Sequence, residues 1–177
     1  MATSKTLTVT YRKFNHLDQF TPVELTKLGR LSYGQNGIMW FVVDKHKKGY
    51  VDEWNMHPKY GPYDAERAEM LRNISVAYVG STMVGWCVTD DDDHFNVYVA
   101  KKYRNLGIAQ TLTDTWASRN IDKLKNIKGH KNQWGELTGG VWKYVHTDEA
   151  GKLLLNAMRK LGIDAKKKRK VVHKVLD

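Results

Sequence analysis

Apolar residues recur along the chain with two different periods, and each period predicts one kind of element. Alternation of apolar and polar residues is typical of strands, and we predict strands over residues 7–14, 74–79, 83–89, 94–99, 141–146 and 166–176. Apolar residues three or four apart are typical of amphipathic helices, and we predict helices over residues 23–31, 64–72, 107–124 and 148–161. The short apolar run 38–43 fits a strand or a buried helix.

Turn and cap residues divide these elements. Thr21 followed by Pro22 is typical of a helix start, and Gly162 is typical of a helix end. Residues 49–63 and 129–141 have loop-like compositions. The order of elements predicts an α+β fold, in which a mixed, mostly antiparallel sheet is flanked by helices. We expect residues 1–177 to form a single domain.

Composition narrows the class of protein. Hydrophobic residues make up 41% of the chain, which is enough to form a sizeable core and excludes general disorder. Because the sequence has neither a long apolar run nor a secretory signal at its start, we expect no membrane association and predict the cytoplasm. The single cysteine, Cys87, lies in an apolar strand and is expected to be a buried structural thiol. The spacing of the seven histidines predicts no metal site.

Positive charge is concentrated near the end of the chain. The formal net charge is +10, and residues 119–177 hold 15 Lys and Arg against 6 Asp and Glu. This excess either favours a phosphate-bearing or acidic partner or serves only solubility. The basic run Lys166–Lys170 resembles a nuclear-localisation string, but apolar residues follow it. We therefore interpret it as the basic edge of the last strand.

The segment from Val97 to Leu112 carries the clearest chemistry. A predicted strand ends, a short basic turn follows, and Gly107 precedes a helix. The first N–H groups of a helix have no partners within it and lie at the positive end of the helix dipole, so they can bind phosphate. Gly107 allows close approach of a ligand, and Arg104 adds a positive charge. The pattern is neither a Walker P-loop nor a dinucleotide fingerprint, yet it favours a pyrophosphate ligand.

The same segment resembles the coenzyme A signature of the GCN5-related N-acetyltransferase (GNAT) family. That signature has Arg or Gln, two residues of any type, Gly, one residue of any type, and then Gly or Ala; here it reads Arg104-Asn-Leu-Gly107-Ile-Ala109. The preceding pair of strands and the late helix ending Lys160-Leu-Gly162 also lie where the family has them. The strongest match covers residues 74–163. The resemblance implies a GNAT-like sheet that splits between its fourth and fifth strands.

The resemblance also implies a cofactor and its binding residues. Acetyl-CoA would be the cosubstrate. Its pyrophosphate would lie on the backbone amides of Arg104, Asn105, Leu106, Gly107, Ile108 and Ala109. Its pantetheine arm would pair with Val97 and Val99, and a backbone N–H near Tyr98 would polarise the thioester carbonyl. An amine would then attack directly, without an acyl-enzyme intermediate.

One position departs from the family pattern. Many members carry a tyrosine in the late helix that protonates the departing thiolate, and by alignment this place is Met158, which cannot donate a proton. Tyr144 and His146 are then the candidate acids. His94 is the candidate general base, because it opens the predicted fourth strand and has a suitable intrinsic pKa. The alternative is an ordinary surface histidine at the edge of a loop.

Two acidic segments are further candidates for the acceptor side of the site. Residues 90–93 are four consecutive aspartates, which either bind a cationic amine or help to deprotonate it, or instead form a solvated hairpin tip. Asp52, Glu53 and His57 lie in the first long loop and could line an acceptor cleft.

The function predicted from the sequence is transfer of an acetyl group from acetyl-CoA to a primary amine. The acceptor is a small molecule, an acidic protein or a nucleic acid, and the chain is expected to be a monomer or a homodimer that needs no metal. The alternative is a catalytically weak GNAT-like module that binds a protein or nucleic acid through its basic last third. The tryptophan content and the end of the chain also resemble acetyltransferase-like proteins of tailed phages.

Overall fold

The computed structural model describes residues 6–31, 56–57, 61–62, 70–90, 93–125, 130–131, 137–138 and 144–163. The elements predicted over 38–43 and 166–176, most of the helix predicted over 64–72, and the candidates Asp52 and Glu53 lie outside these residues. Within the described part, no helix is long and apolar enough to cross a membrane.

A four-stranded antiparallel sheet forms the centre of the structure. Its strands are β1 (Val9–Phe14), β4 (Arg72–Val79), β5 (Thr82–Thr89) and β6 (Phe95–Val99), in the order β1-β4-β5-β6. Two short antiparallel pairs stand apart from it: β2 (Met56–His57) with β3 (Gly61–Pro62), and β7 (His130–Lys131) with β8 (Leu137–Thr138). Both pairs lie in or beside segments that the sequence predicts to be loops, so that prediction was incomplete.

Among the described residues, four helices accompany the sheet: α1 (Pro22–Arg30), α2 (Ile108–Arg119), α3 (Ile121–Lys125) and α4 (Asp148–Lys160). The predicted cap residues are confirmed at the start of α1 and after the end of α4. Thr21 accepts a hydrogen bond from the Glu24 N–H, and the Glu24 carboxylate accepts one in return from the Thr21 N–H. Gly162 follows α4 with φ 69°, the left-handed backbone that ends many helices. The single helix predicted over 107–124 is interrupted at Asn120, so α2 and α3 are separate.

Each face of the sheet carries its own apolar cluster. On one face α2 packs on β4, β5 and β6, and α4 packs on α2 and β6. The cluster on this face contains Cys87, Phe95, Leu112, Trp116 and Leu154, among others. On the other face α1 packs on β4 and β5, and the cluster contains Phe14, Leu28, Ile74 and Trp86, among others. The predicted α+β fold with a mostly antiparallel sheet is therefore confirmed.

Of the strand predicted over residues 141–146, the structure describes residues 144–146, and in these Val145 alone pairs with the sheet. Val145 makes a parallel bridge to Phe95 at the start of β6, and α4 begins only three residues later, at Asp148. The sheet is thus extended beyond β6 by one bridge. After it, β6 continues to Val99 while the chain after Val145 turns into α4, so the two segments diverge.

Candidate active site

The junction between β6 and α2 has the local structure that the sequence motif predicts. After β6 ends, residues Lys101–Tyr103 form one turn of 3-10 helix. Asn105 and Gly107 then adopt positive φ values of 62° and 79°, and Gly107 is the N-cap of α2. The Thr111 N–H donates to the Gly107 carbonyl at 3.1 Å, which is the first bond of the helix. The amides of residues 108–110 therefore precede the first helical bond and are oriented along the helix axis.

This junction is exposed, which leaves it open to a ligand. Residues 104–107 are all exposed, whereas Ile108 is buried and anchors the helix to the core. A Cβ built on Gly107 would meet no heavy atom within 4 Å, so space above the glycine is open. The segment from Arg104 to Ala109, of which residues 104–107 are exposed, is called the amide turn below. It offers backbone donors beside the positive end of a 12-residue helix.

Arg104 ties the amide turn to the end of β6. Its Nε donates a hydrogen bond to the Val99 carbonyl at 2.9 Å, and its guanidinium lies 5.7 Å from the centre of the Tyr98 ring. Val97 and Val99 are buried, while Tyr98 is half-buried on the opposite face. The arginine thus fixes the amide turn relative to the strand that the resemblance assigns to the pantetheine arm.

A compact polar cluster lies at the other end of β6. It consists of Asp90, His94 and His146, and we call it the Asp–His–His cluster. The His146 Nε2 lies 3.0 Å from Asp90 Oδ2, the His94 Nδ1 lies 3.8 Å from Asp90 Oδ1, and the two imidazole rings are 4.3 Å apart. Asp90 follows β5, His94 precedes β6, and His146 follows the bridge residue Val145.

The carboxylate of Asp90 is the buried centre of this cluster. Only 3% of the residue is exposed, and the carboxylate also accepts hydrogen bonds from the His94 N–H at 2.8 Å and from Asn96 Nδ2 at 2.9 Å. Burial alone would raise the pKa of this carboxyl, but the hydrogen bonds from His146, the His94 backbone and Asn96 outweigh it and lower the pKa. Asp90 is therefore an anion at neutral pH.

The prediction that residues 90–93 form a solvated hairpin tip was wrong for Asp90. The Asp90 N–H donates to the His94 carbonyl at 2.9 Å, which closes a tight loop and turns the Asp90 side chain inward. Asp93 pairs with Arg72 and Lys123, so its charge is compensated. Asp91 and Asp92 lie outside the described residues.

The remaining candidate acids are in different environments. His146 is exposed and reaches Asp90, as described above. Tyr144 is half-buried, packs against the core beneath α4 and α2, and has the Lys123 ammonium 5.6 Å from its ring centre. Met158 is 1% exposed within the same core. A buried methionine there contributes packing.

Sequence reasoning named the two histidines and the run 90–93 as separate candidates, but it did not place Asp90 between the histidines. Asp90 was hidden in a run of four aspartates, and nothing in that run marks its first member as buried. The sequence does contain one indication that Asp90 is buried, because it directly follows the eight-residue apolar strand β5. A polar partner, Asn96, also lies only six residues further along the chain. The cluster itself depends on the bridge between Phe95 and Val145, which joins residues 50 positions apart.

Comparisons with known proteins give structural neighbours only. No protein-family model and no curated protein matches the chain. One solved structure, a ribosomal-protein-alanine N-acetyltransferase from Brucella melitensis biovar Abortus 2308, is 12% identical, with 96% of this chain and 99% of that chain covered and a TM-score of 0.39. Another, an aminoglycoside acetyltransferase from an uncultured soil metagenomic sample in complex with trehalose, is 13% identical, with 96% and 97% covered and a TM-score of 0.39.

Both neighbours are acetyltransferases, the class of protein that the GNAT resemblance predicts. At this TM-score the superpositions carry no detail of a site. The case for function therefore rests on this chain's own amide turn and on its Asp–His–His cluster.

Proposed function

We propose that the protein is an acetyl-CoA-dependent N-acetyltransferase of the GNAT type. The observation that carries this proposal is the amide turn, because the residues of the coenzyme A motif lie at an exposed strand-to-helix junction with Gly107 as the helix N-cap. A pyrophosphate is the ligand that such a junction favours. The cytoplasm remains the predicted compartment.

The two ends of β6 suggest how acetyl-CoA would lie. With its pyrophosphate on the amides of residues 104–109, the pantetheine arm would run back along β6 beside Val97 and Val99. The parting of β6 from the chain after the Phe95–Val145 bridge supports this path. The thioester would then face the region between Tyr98 and the Asp–His–His cluster.

The proposed reaction is direct attack of a neutral primary amine on the thioester in a ternary complex. The new C–N bond forms as the C–S bond breaks, the amine loses a proton, and the coenzyme A thiolate gains one. His94 and His146 are the proposed proton-handling groups, because the structure brings them together on the buried carboxylate of Asp90. Tyr144 is the weaker candidate, since its ring packs into the core. Positioning of the two substrates supplies the rest of the rate enhancement.

The alternative function is an inactive module that binds a macromolecule through its basic last third. The burial of Met158, at 1% exposed, supports this alternative because the usual tyrosine acid has no replacement at that position. For the enzyme, the proposed acceptor is a small amine, an acidic protein or a nucleic acid; for the inactive module, the proposed partner is a protein or a nucleic acid.

Calorimetric titration with acetyl-CoA tests the cofactor, with ATP and NAD as competing ligands. Gly107→Glu is the informative variant, and Gly80→Glu is its matched control. Both glycines have positive φ, 79° and 61°, and neither has a heavy atom within 4 Å of the added Cβ. The two substitutions therefore carry a similar backbone cost, but only Gly107 lies at the amide turn.

We expect acetyl-CoA to bind the wild type and Gly80→Glu and to bind Gly107→Glu at least tenfold more weakly, since a carboxylate would repel the pyrophosphate. Equal affinity of the two variants, or preference of the wild type for ATP or NAD, would exclude the proposed cofactor site. Binding without thiol release across a panel of amines would favour the inactive module.

Substitution of the histidines tests the proton-handling groups. We expect His94→Ala and His146→Ala each to lower the turnover number by about 10²- to 10⁴-fold, the usual contribution of a general acid or base. Acetyl-CoA affinity should not change, because both residues lie at the far end of β6 from the amide turn. His16→Ala is the control, since His16 is exposed beside β1. Full turnover in both variants would assign proton transfer to another group.

A further inference from the structure

We propose that Asp90, His94 and His146 form a binding site for a divalent transition metal, with Zn²⁺ the best fit. This departs from the sequence-based expectation of no metal site, which considered only how histidines and carboxylates are spaced along the chain. The binding itself does not depend on the proposed acetyltransferase activity.

The donor atoms converge from three chain segments. One oxygen of Asp90 and one ring nitrogen from each of the two histidines all lie within 4.8 Å of one another. The Asp90–His146 and Asp90–His94 separations are 3.0 Å and 3.8 Å. In a tetrahedral zinc site with bonds of about 2.0–2.1 Å, neighbouring ligand atoms are about 3.3 Å apart. Each imidazole nitrogen therefore already lies near that separation from one of the two Asp90 oxygens, His146 Nε2 from Oδ2 and His94 Nδ1 from Oδ1.

Movement of one exposed side chain can bring the three ligand atoms, which already lie within 4.8 Å of one another, to the spacing of a metal site. The His146 side chain is 50% exposed, whereas that of Asp90 is 5% exposed and that of His94 is 26% exposed. His146 can therefore rotate toward the other two ligands without repacking the core. Asp90 and His94 are held by the loop that closes with the 2.9 Å bond from Asp90 N–H to the His94 carbonyl.

A second observation points to a missing ligand at the same place. The His94 Nδ1 is buried and makes no hydrogen bond to any described group, although it faces the Asp90 carboxylate at 3.8 Å. A buried polar atom without a hydrogen bond is costly. A metal ion between the imidazole and the carboxylate would satisfy it.

The surroundings of Asp90 resemble those of a ligating carboxylate. Such ligands are usually oriented by hydrogen bonds from groups that do not touch the metal. Here the His94 N–H and Asn96 Nδ2 hold the carboxylate at 2.8 Å and 2.9 Å. The orientation of Asp90 therefore does not depend on its contact with His146, which a metal would replace.

The chemistry of the donors selects the metal. Two imidazole nitrogens and one carboxylate oxygen suit Zn²⁺ and similar borderline ions. Mg²⁺ and Ca²⁺ prefer six or more oxygen ligands, so they should bind weakly. Three protein ligands leave a fourth position for water.

Calorimetric titration of the full chain with Zn²⁺, in the absence of acetyl-CoA, tests the site. The expected result is binding of one equivalent to the wild type and at least tenfold weaker binding to His146→Gln, His94→Gln and Asp90→Asn. His16→Gln, an exposed histidine elsewhere, should bind as the wild type does. Because His146 is exposed, its variant should fold even if the other two do not. Co²⁺ should give the visible absorption of a tetrahedral complex in the wild type and not in His146→Gln.

The proposal is overturned if the wild type does not bind Zn²⁺, if His146→Gln binds it as tightly as the wild type, or if Mg²⁺ competes at equal concentration. A metal-free Asp–His hydrogen-bonded pair would then account for the cluster. One consequence does rest on the proposed function: Zn²⁺ should inhibit acetyl transfer, because it occupies the nitrogens that would take the proton. If the chain binds Zn²⁺ but shows no transfer, the metal site stands and the proposed function fails.

Discussion

Side chains of the same type have different environments along this chain, depending on how deeply each is buried. Asp90 and Asp93 both belong to one run of aspartates, yet Asp90 is enclosed and Asp93 pairs with Arg72 and Lys123 near the surface. The difference follows from their positions, because Asp90 comes directly after the last residue of β5 and Asp93 comes three residues later. The same principle applies to the only cysteine, whose reactivity depends on access and on its pKa.

Cys87 should be unreactive in the folded protein. It is fully buried, its Sγ–H donates to the Leu112 carbonyl at 3.4 Å, and desolvation raises the pKa of its thiol to about 12. At pH 8 a thiol with this pKa is thiolate in only about one molecule in ten thousand. Iodoacetamide should therefore label the native chain negligibly and the chain in guanidinium completely. Stoichiometric labelling of the native protein at pH 8, measured by mass spectrometry, would contradict the buried placement.

Close approach between elements depends on one glycine at the middle of the sheet. Gly85 pairs with Val99 in the β5–β6 ladder. A Cβ at this position would lie 2.9 Å from the Tyr98 carbonyl oxygen and 3.3 Å from Leu112 of α2. The absence of a side chain therefore lets α2 lie close against the two strands.

Gly85→Ala should destabilise the fold by about 1–3 kcal/mol, the usual cost of overpacking. Its nearest contact is a backbone oxygen, which cannot move without displacing β6. Thermal unfolding followed by circular dichroism measures the effect, and a loss of several degrees is expected for a chain of this size. Ser81→Ala, in the exposed β4–β5 turn, is the control and should change stability by less than about 0.5 kcal/mol. No loss in Gly85→Ala would contradict the close packing of α2.

The end of α2 is attached to two strands by a single side chain. Arg119 donates to the carbonyls of Ile74 and Phe14, at 3.1 Å and 2.9 Å, and to Asn15 Oδ1 at 3.0 Å. These bonds connect α2 to β4 and to β1, the edge strand opposite β6.

Arg119→Met should destabilise the protein by about 1.5–3 kcal/mol, because it removes charge-assisted hydrogen bonds and leaves backbone carbonyls without their donor. Urea unfolding is a suitable measurement, since the midpoint should fall while the slope stays constant. Arg159→Met is the matched control on α4, where the guanidinium is exposed and bonds only to the neighbouring Asn156 among the described contacts. Equal midpoints for the two variants would show that Arg119 contributes no more than a surface residue.

At the scale of the whole molecule, the sequence predicted what depends on local pattern. The strands β1 and β4–β6, the caps at Thr21 and Gly162, and the amide turn follow from residues close together in the chain. The break at Asn120 was missed because the apolar residues Ile121 and Leu124 continue the helical spacing past it. The Asp–His–His cluster was missed as a unit because it needs the Phe95–Val145 bridge, which no local pattern reveals.

Substitutions on the two faces of the sheet should distinguish a loss of stability from a loss of cofactor affinity. Leu28 and Leu112 are both fully buried, Leu28 between α1 and one face of the sheet and Leu112 between α2 and the other face. Truncation of either to alanine should cost about 2–5 kcal/mol. Leu112 lies little more than one turn after Gly107, so relaxation into its cavity would displace the amide turn, whereas Leu28 packs on the opposite face.

If the proposed function holds, Leu112→Ala should therefore bind acetyl-CoA about tenfold more weakly, a change of about 1.4 kcal/mol. Leu28→Ala should keep nearly the wild-type affinity despite a similar loss of stability. Titration at a temperature where both variants are folded makes the comparison direct. Equally weak binding in both variants would mean that affinity for acetyl-CoA follows overall stability. The packing of Leu112 would then not specifically support the amide turn.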